Sequence, residues 1–444
     1  MEQDPLQGYT GEARSYLERR GVKVGDLLRL RFRGAEIKGT LMPRYGLYAE
    51  AKLVIKLPNG YNVGIDLASI EGLEKAGEAR APSFIPPPSP SPPPSLPRVR
   101  LIGTGGTIAS RIDYETGAVH AFLDASSLYS SYPELASVAL LEPVQLFNLY
   151  SEDIGPGHWS RMAEEIWRGG EEAQGFVVAH GTDTMGYTAA ALSFSLRHLD
   201  RPVVLVGAQR SSDRPSSDSF TNLLAAIRFA AQAPCAGVFV AMHESPSDQR
   251  IAVHLGTRVR KCHTSRRDAF RSISIPPVGY VEGDRIALRP GLRARGEGKG
   301  GGLLNKFEER VALLKFYPGM RPEQLLWLKE AGYRGVVLEG TGLGHVAHHL
   351  IPALRELRER GLLVGMTSQT IWGSLRMTVY ETGRRLLEAG VVPLNMIPET
   401  ALVKMMWALG NAGSREGALE LLMEPIAGEF LEREVAGGHG SGSE

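Results

Sequence analysis

Near the start of the chain, apolar positions recur at every second residue. Leu28, Leu30 and Phe32 alternate with Arg29, Arg31 and Arg33, the period of a strand with one buried face. Residues 37–41 predict a second strand, and residues 48–57 a third with Leu53, Ile55 and Leu57 on one side. Pro58-Asn59-Gly60-Tyr61 predicts a hairpin turn, because Asn-Gly takes up positive φ readily, and residues 61–65 follow as a fourth strand. A short helix over residues 13–19 precedes them. Several short strands so close together predict a small all-β barrel of SH3-like type over residues 1–75. The Arg29, Arg31 and Arg33 stripe serves either RNA binding or a solvated face that resists edge aggregation.

Residues 76–98 change character. The run Pro86-Pro87-Pro88-Ser89-Pro90-Ser91-Pro92-Pro93-Pro94 predicts an extended linker rising about 3.1 Å per residue. A docking peptide for SH3-type partners is the other reading, but a position between two folded patterns favours a spacer. Beyond it, strands at 176–179, 203–206 and 238–242 alternate with helical patterns at 187–198 and 220–231. That rhythm predicts a mostly parallel sheet with helices on both faces. The glycine-rich stretch 291–302 reads as an exposed, mobile loop or a crossing between domains. A second α/β pattern then begins, with strands at 312–316, 335–339 and 362–366 and helices at 322–331, 380–389 and 399–409. The expected fold class is α/β: a two-domain body of parallel sheets with flanking helices, residues 99–295 and 305–436, preceded by the barrel. Residues 437–444 are a Gly/Ser-rich tail expected to be disordered.

Composition narrows the function classes. The 444 residues predict two or three domains, and 43% hydrophobic with 22% charged residues is ordinary for a soluble protein. A formal net charge of +1 leaves no global electrostatic footprint for nucleic acid. Cys235 and Cys262 have neither zinc-ligand spacing nor a disulfide framework, so a reducing compartment is expected. The opening MEQDPLQGYT has no basic n-region or apolar h-region, and no run of about 20 apolar residues exists. A cytoplasmic chain without membrane contact is the expectation.

The candidate chemistry lies at two strand ends. Leu101-Ile102 runs into Gly103-Thr104-Gly105-Gly106-Thr107, a buried strand ending in a tight turn. It is no Walker A loop, since no Gly-Lys-Ser/Thr follows, and no G-x-G-x-x-G, since Ile108 occupies the third glycine position. Taken alone it reads as a plain strand–turn whose interesting atom is the Thr107 hydroxyl. His180-Gly181-Thr182-Asp183-Thr184-Met185 ends the strand at 176–179. In open α/β sheets ligands collect beyond the carboxyl ends of strands, where both turns lie. A threonine hydroxyl is a weak nucleophile without a base, and Lys261 held by Asp183 is one candidate. Spacing alone brings none of these groups together.

Thr104-Gly105-Gly106-Thr107-Ile108-Ala109 and His180-Gly181-Thr182-Asp183-Thr184-Met185, in this order and about 75 residues apart, resemble the two signatures of the bacterial-type L-asparaginase/glutaminase family. Val206-Gly207-Ala208-Gln209-Arg210 and Lys261 ahead of Asp268-Ala269-Phe270 extend the likeness over residues 98–436. The resemblance implies a nucleophilic Thr107 and a second triad of Thr182, Asp183 and Lys261, with Tyr114 on a lid. It implies substrate contacts at Ser151, Asp183 and Glu152 and at the backbone of Gly106 and Gly181. The chemistry implied is attack on an amide carbonyl, release of ammonia and hydrolysis of an acyl-threonine.

The front barrel with its polyproline linker, Glu152 and the charged segment Gln209–Asp218 are similar to the archaeal glutamyl-tRNA(Gln) amidotransferase D-subunit family. That likeness implies ammonia drawn from glutamine or asparagine and passed to a partner E-subunit. The partner would use ATP and magnesium to amidate Glu-tRNA(Gln) and would grip most of the tRNA, leaving this chain without cofactor or metal. It also implies a homodimer within a heterotetramer. A free asparaginase with an added barrel and a non-catalytic RNA- or protein-binding scaffold are the alternatives. His345, His348 and His349 read as the start of an amphipathic helix rather than a metal site, and Met396, Met405, Met406 and Trp407 as packing residues.

Overall fold

A computed structural model describes residues 4–44, 51–59, 61–78, 93–106, 110–112, 119–121, 125–211, 216–298 and 300–430. Thr107, Tyr114, most of the proline-rich run and the Gly/Ser tail lie outside the described residues.

The front module is helix α1 (Gly11–Glu18) and five strands: β1 (Asp26–Phe32), β2 (Ala35–Leu41), β3 (Lys52–Lys56), β4 (Asn62–Asp66) and β5 (Ile70–Glu78). They form one antiparallel sheet in the order β4-β3-β2-β1-β5. Leu28, Leu30, Leu41, Leu53, Ile55 and Ile65 pack with Ala13 and Leu17 of α1, so the period-two pattern buries the face it predicts. Arg29 and Arg31 point to solvent, and Arg29 pairs with Glu36 at 3.4 Å. Arg33 leaves the stripe: with φ of 49° beside Gly34 at 72° it forms the two-residue turn between β1 and β2. Strand β5 is the element the pattern concealed. It pairs with β1 through two register shifts, and its Glu71, Glu74 and Lys75 give it the polar look of an edge.

Beyond residue 97 the chain builds β6 (Arg98–Gly105), a ribbon of β7 (Ser110–Ile112) and β8 (Val119–Ala121), α2 (Ala125–Ser131), β9 (Leu140–Leu149), α3 (Pro156–Arg168), β10 (Gly175–Ala179) and α4 (Met185–Ser195). There follow β11 (Pro202–Val206), α5 (Ser219–Gln232), β12 (Gly237–His243), β13 (Ile251–Leu255), the ribbon β14 (Val259–Lys261) with β15 (Phe270–Ser272), β16 (Gly279–Glu282) and β17 (Arg285–Leu288). The eight-stranded sheet runs β17-β16-β13-β12-β11-β10-β6-β9. Strands β9, β6, β10, β11 and β12 are parallel, whereas β13, β16 and β17 are antiparallel. The expected parallel sheet is therefore a mixed one. Short connections from β12 to β13 and from β16 to β17, and the β14–β15 ribbon between β13 and β16, add the antiparallel part without a crossover helix.

The rest comprises β18 (Val311–Lys315), α6 (Pro322–Glu330), β19 (Gly335–Gly340), α7 (Ile351–Glu359), β20 (Leu363–Ser368), α8 (Glu381–Glu388), β21 (Val392–Pro393), α9 (Pro398–Asn411) and α10 (Arg415–Met423). Its sheet is parallel, in the order β18-β19-β20-β21. Helices α4 and α9 are buried on nearly all sides and meet where Phe194 packs on Trp407 at 5.8 Å between ring centres. One apolar cluster thus runs from the first sheet to the second, with Met405, Met406 and Trp407 inside it.

The glycine-rich stretch is less free than its composition predicts. Arg293 donates to the carbonyls of Arg197 and Leu199, and Arg295 to those of Ala230, Ala233 and Gln174. Apart from that of Gln174, these carbonyls lie at or just past the ends of α4 and α5, which the two guanidiniums cap. His348 and His349 open a short 3-10 turn before α7, and His349 Nε2 hydrogen-bonds Met320 O at 2.8 Å. No helix among the described residues is long and apolar enough to cross a membrane.

Candidate active site

The site is assembled where β6, β9 and β10 end side by side. Strand β6 and the turn after it can run this close to their neighbours because Gly103, Gly105 and Gly106 lack side chains. A Cβ on Gly103 would overlap the Gln145 amide, and one on Gly106 would overlap the backbone of Gly181. Gly105 and Gly106 also have φ of 106° and 81°, which side-chain-bearing residues avoid. Thr104, fully buried, donates its hydroxyl to Ala179 O at 2.8 Å and ties the two strand ends together.

The turn after β10 is held from beneath. His180 is buried, and its Nδ1 lies 2.6 Å from Gly181 O, which can only accept, so Nδ1 carries the proton. Nε2 then accepts from Thr188 Oγ1 at 2.9 Å, and Thr188 accepts from Trp159 Nε1 at 3.1 Å. Burial lowers the His180 pKa to about 4, so the imidazole is neutral and serves as a structural bracket.

Above this bracket Thr182 is buried and Asp183 faces outward at 69% side-chain exposure. Asp183 sits just ahead of α4, where the helix dipole favours a carboxylate. Ser151 is buried in the 3-10 turn that follows β9, and Gly181 packs directly on it. Thr184 donates to Ser151 O at 2.5 Å, which joins the turn to the start of α4. Glu152 is exposed and accepts a 3.4 Å hydrogen bond from Ser151 Oγ.

Lys261 arrives from β14, 78 residues after Asp183. Its Nζ donates to Thr182 Oγ1 at 2.8 Å and to Asp183 Oδ1 at 2.9 Å. The 2.8 Å contact puts the amine within reach of the threonine hydroxyl proton, while Asp183 fixes its direction. The β14–β15 turn is braced by Asp268, which accepts from Arg266 at 2.7 Å and Arg271 at 2.7 Å. Burial pushes the Asp268 carboxyl upward, but the two guanidiniums outweigh it and hold it below the ordinary carboxylate value.

The structure thus brings together Gly106, Ser151, Gly181, Thr182, Asp183 and Lys261. Thr107 is continuous with Gly106 and Tyr114 lies farther along, both outside the described residues. Sequence reading missed the polar scaffold behind the site. Asp218, fully buried, accepts from the backbone of Gln209 and Arg210 and from Asn222 Nδ2. Asn222 also donates to Gly207 O and meets His243, whose Nε2 contacts Asp248. The only sequence signal for it was the density of polar residues around Asp218. Among the described residues no group of three or more His, Cys, Asp or Glu could hold a metal ion.

Comparison with known proteins covers both parts of the chain. The family described as Asparaginase, N-terminal, matches residues 98–292, and Glutaminase/Asparaginase C-terminal domain matches residues 310–422. Residues 22–74 match the GatD N-terminal domain. The D-subunit of glutamyl-tRNA(Gln) amidotransferase from Thermococcus kodakarensis is 49% identical over 94% of this chain and 96% of its own. The protein of the same name from Methanothermobacter thermautotrophicus is 46% identical over 96% and 98%. Among solved structures, the thermostable L-asparaginase from Thermococcus kodakarensis is similar with a TM-score of 0.68 and 36% identity. The match covers 75% of this chain and 99% of that one.

Proposed function

Because this chain belongs to the family of glutamyl-tRNA(Gln) amidotransferase D-subunits, we propose that it is the glutaminase of a tRNA-dependent amidotransferase. It frees ammonia from the side-chain amide of glutamine, or of asparagine, for the conversion of Glu-tRNA(Gln) to Gln-tRNA(Gln). The observation that carries this reading is the Thr182–Lys261–Asp183 constellation beside Gly106, on an asparaginase-type body that follows a GatD-type front module.

In the proposed reaction the Thr107 hydroxyl attacks the amide carbon and loses its proton. The carbonyl oxygen becomes an oxyanion, and its collapse breaks the C–N bond as the nitrogen takes up the proton given up by Thr107, so ammonia leaves and an acyl-threonine ester remains. Water then attacks the ester, a proton moves through Thr182 and Lys261, and the acid leaves with the Thr107 hydroxyl restored. Because neither Gly106 nor Gly181 carries a side chain, the two turns close on each other and on Ser151, and this close packing forms the floor of the proposed substrate site. Asp183 and Ser151 hold the α-amino and α-carboxylate groups, with Glu152 at the rim and Tyr114 on the segment that shuts out water. Oxyanion donors of this kind supply roughly 3 kcal/mol each to the barrier reduction.

The proposed assembly is a homodimer joined to a partner E-subunit in a heterotetramer. The partner supplies ATP- and magnesium-dependent activation and most of the tRNA contact, and the site described here needs neither cofactor nor metal. A net charge of +1 supports this division, since it gives the chain no broad attraction to tRNA. The assembly is read as cytoplasmic.

The test is ammonia release from glutamine by the purified chain, alone and then with the E-subunit and Glu-tRNA(Gln). Strong stimulation by the partner and tRNA is expected. High unstimulated turnover of asparagine alone would make this a free asparaginase, and absence of turnover under every condition would make it a scaffold.

A further inference from the structure

The C-terminal half of the body reaches across and holds the short strand that carries Lys261. Two consecutive residues at the start of α9 do this. Thr400, fully buried, donates its hydroxyl to Thr257 O at 2.8 Å, two residues before β14 begins. Glu399 Oε1 meets Arg260 Nε at 3.1 Å, one residue before Lys261. The stretch after α10 adds two more ties, since Thr257 Oγ1 donates to Ala427 O at 2.8 Å and Arg258 Nε to Gly428 O at 3.2 Å. Strand β14 is also paired along one edge with β15. A three-residue strand is thus held by its pairing partner, at its entry, and through the side chain of the residue adjoining the lysine.

Side chains alternate across a strand, so Arg260 and Lys261 project to opposite faces. Holding Arg260 therefore sets the roll of β14 about its axis and, through it, the direction in which Lys261 leaves the strand. The anchor is a costly one. Glu399 is 9% exposed, and its Oε2 is buried with no hydrogen-bond partner among the described residues. Buried ion pairs are poor sources of net stability compared with apolar packing, so stability alone is a weak reason for a half-satisfied carboxylate here. Control of geometry is a stronger one, because a misplacement of about 1 Å can cost on the order of 100-fold in rate.

We propose that Glu399 is a positioning residue for Lys261, acting through Arg260, and that Thr400 fixes the entry of the same strand. This rests on reading Lys261 as the group that moves the Thr182 proton. The C-terminal half of the body would then take part in the chemistry by aiming the lysine, without touching the substrate.

The experiment measures glutamine hydrolysis by the full-length chain with its partner E-subunit and Glu-tRNA(Gln). Glu399→Met removes the anchor, and kcat should fall about 10- to 100-fold with KM within about twofold. Glu399→Gln keeps an acceptor for Arg260 and should restore most of the rate. Arg260→Met with Glu399→Met should be no slower than Glu399→Met alone, since both act through one contact. An unchanged kcat in Glu399→Met, a rise in KM at constant kcat, or additive losses in the double variant would each overturn the proposal. Should Glu399→Met fail to fold, Arg260→Met removes the same contact from its more exposed side and carries the same expectation. Lys261→Met serves as the reference. Retained activity there refutes the reading of the lysine itself, whereas a dead Lys261→Met beside an unaffected Glu399→Met refutes only the anchor.

Discussion

Gly106 lies backbone to backbone against Gly181, so the last described residue before Thr107 touches the residue before Thr182. This contact brings the two threonine turns to one place. A methyl group on Gly106 would collide with the Gly181 backbone, and its φ of 81° would be strained for any side chain. Gly106→Ala should therefore cost about 1–3 kcal/mol of stability and most of the ammonia release. Urea denaturation and a coupled ammonia assay measure the two effects, and near-normal activity would show that the turns tolerate separation.

Thr107→Val preserves shape and removes only the hydroxyl. Ammonia release should vanish, with the unfolding midpoint and the oligomeric state unchanged. Retained turnover would dismiss Thr107 as the nucleophile and move attention to Thr182, the buried hydroxyl that Lys261 contacts.

His180 gives the fold a pH dependence of predictable sign. Burial places its folded pKa at about 4, below the value of 6.5 for a free histidine. The unfolded chain therefore binds this proton more readily than the folded one. Its contribution is whole above pH 6.5 and drains as the pH falls towards 4, a loss of roughly 3 kcal/mol. His254, whose pKa burial lowers to about 3, acts in the same direction. His180→Asn keeps a donor for Gly181 O, and its stability should fall less steeply as the pH drops from about 6.5 to about 4.5. Identical slopes for variant and parent in urea denaturation would contradict the assignment.

Lys404 and Glu429 form an ion pair with no solvent exposure on either side, and the lysine also reaches Glu424 O. Glu429 further accepts from the backbone of Ile426 and Ala427, which fastens the stretch after α10 to α9. Lys404→Met strands a buried carboxylate and should cost about 3–5 kcal/mol. Adding Glu429→Gln should recover part of that loss, since no uncompensated charge then remains. Equal stability of the single and double variants would mean that Glu429 finds another way to neutralise its charge.

Elements whose periodicity is local were legible without the structure. The alternation from Leu28 to Phe32 and the strand–helix rhythm from residue 176 onward appear where the pattern put them, within a few residues. Strands β5, β9 and the antiparallel set β13, β16 and β17 were not legible. The outward faces of β5, β9, β16 and β17 are polar or irregular, β13 is a short buried run, and a strand's register and direction depend on partners far along the chain. The ties that hold the glycine-rich stretch 291–302 were hidden for a related reason, because Arg293 and Arg295 find acceptors just past helix ends more than sixty residues away.

The sequence by itself determined the two threonine turns, since close backbone approach and positive φ demand glycine at Gly105, Gly106 and Gly181 and leave a short local trace. It also determined the alternating elements and, by resemblance, the family. Only the tertiary structure decided that Lys261 meets Thr182 and Asp183, that Ser151 lies under Gly181, and that Glu399 and Thr400 grip the lysine's strand. Such meetings depend on strand order and on the packing of α4 against α9. These are set by the burial of the whole apolar surface, to which no short stretch of chain holds the answer.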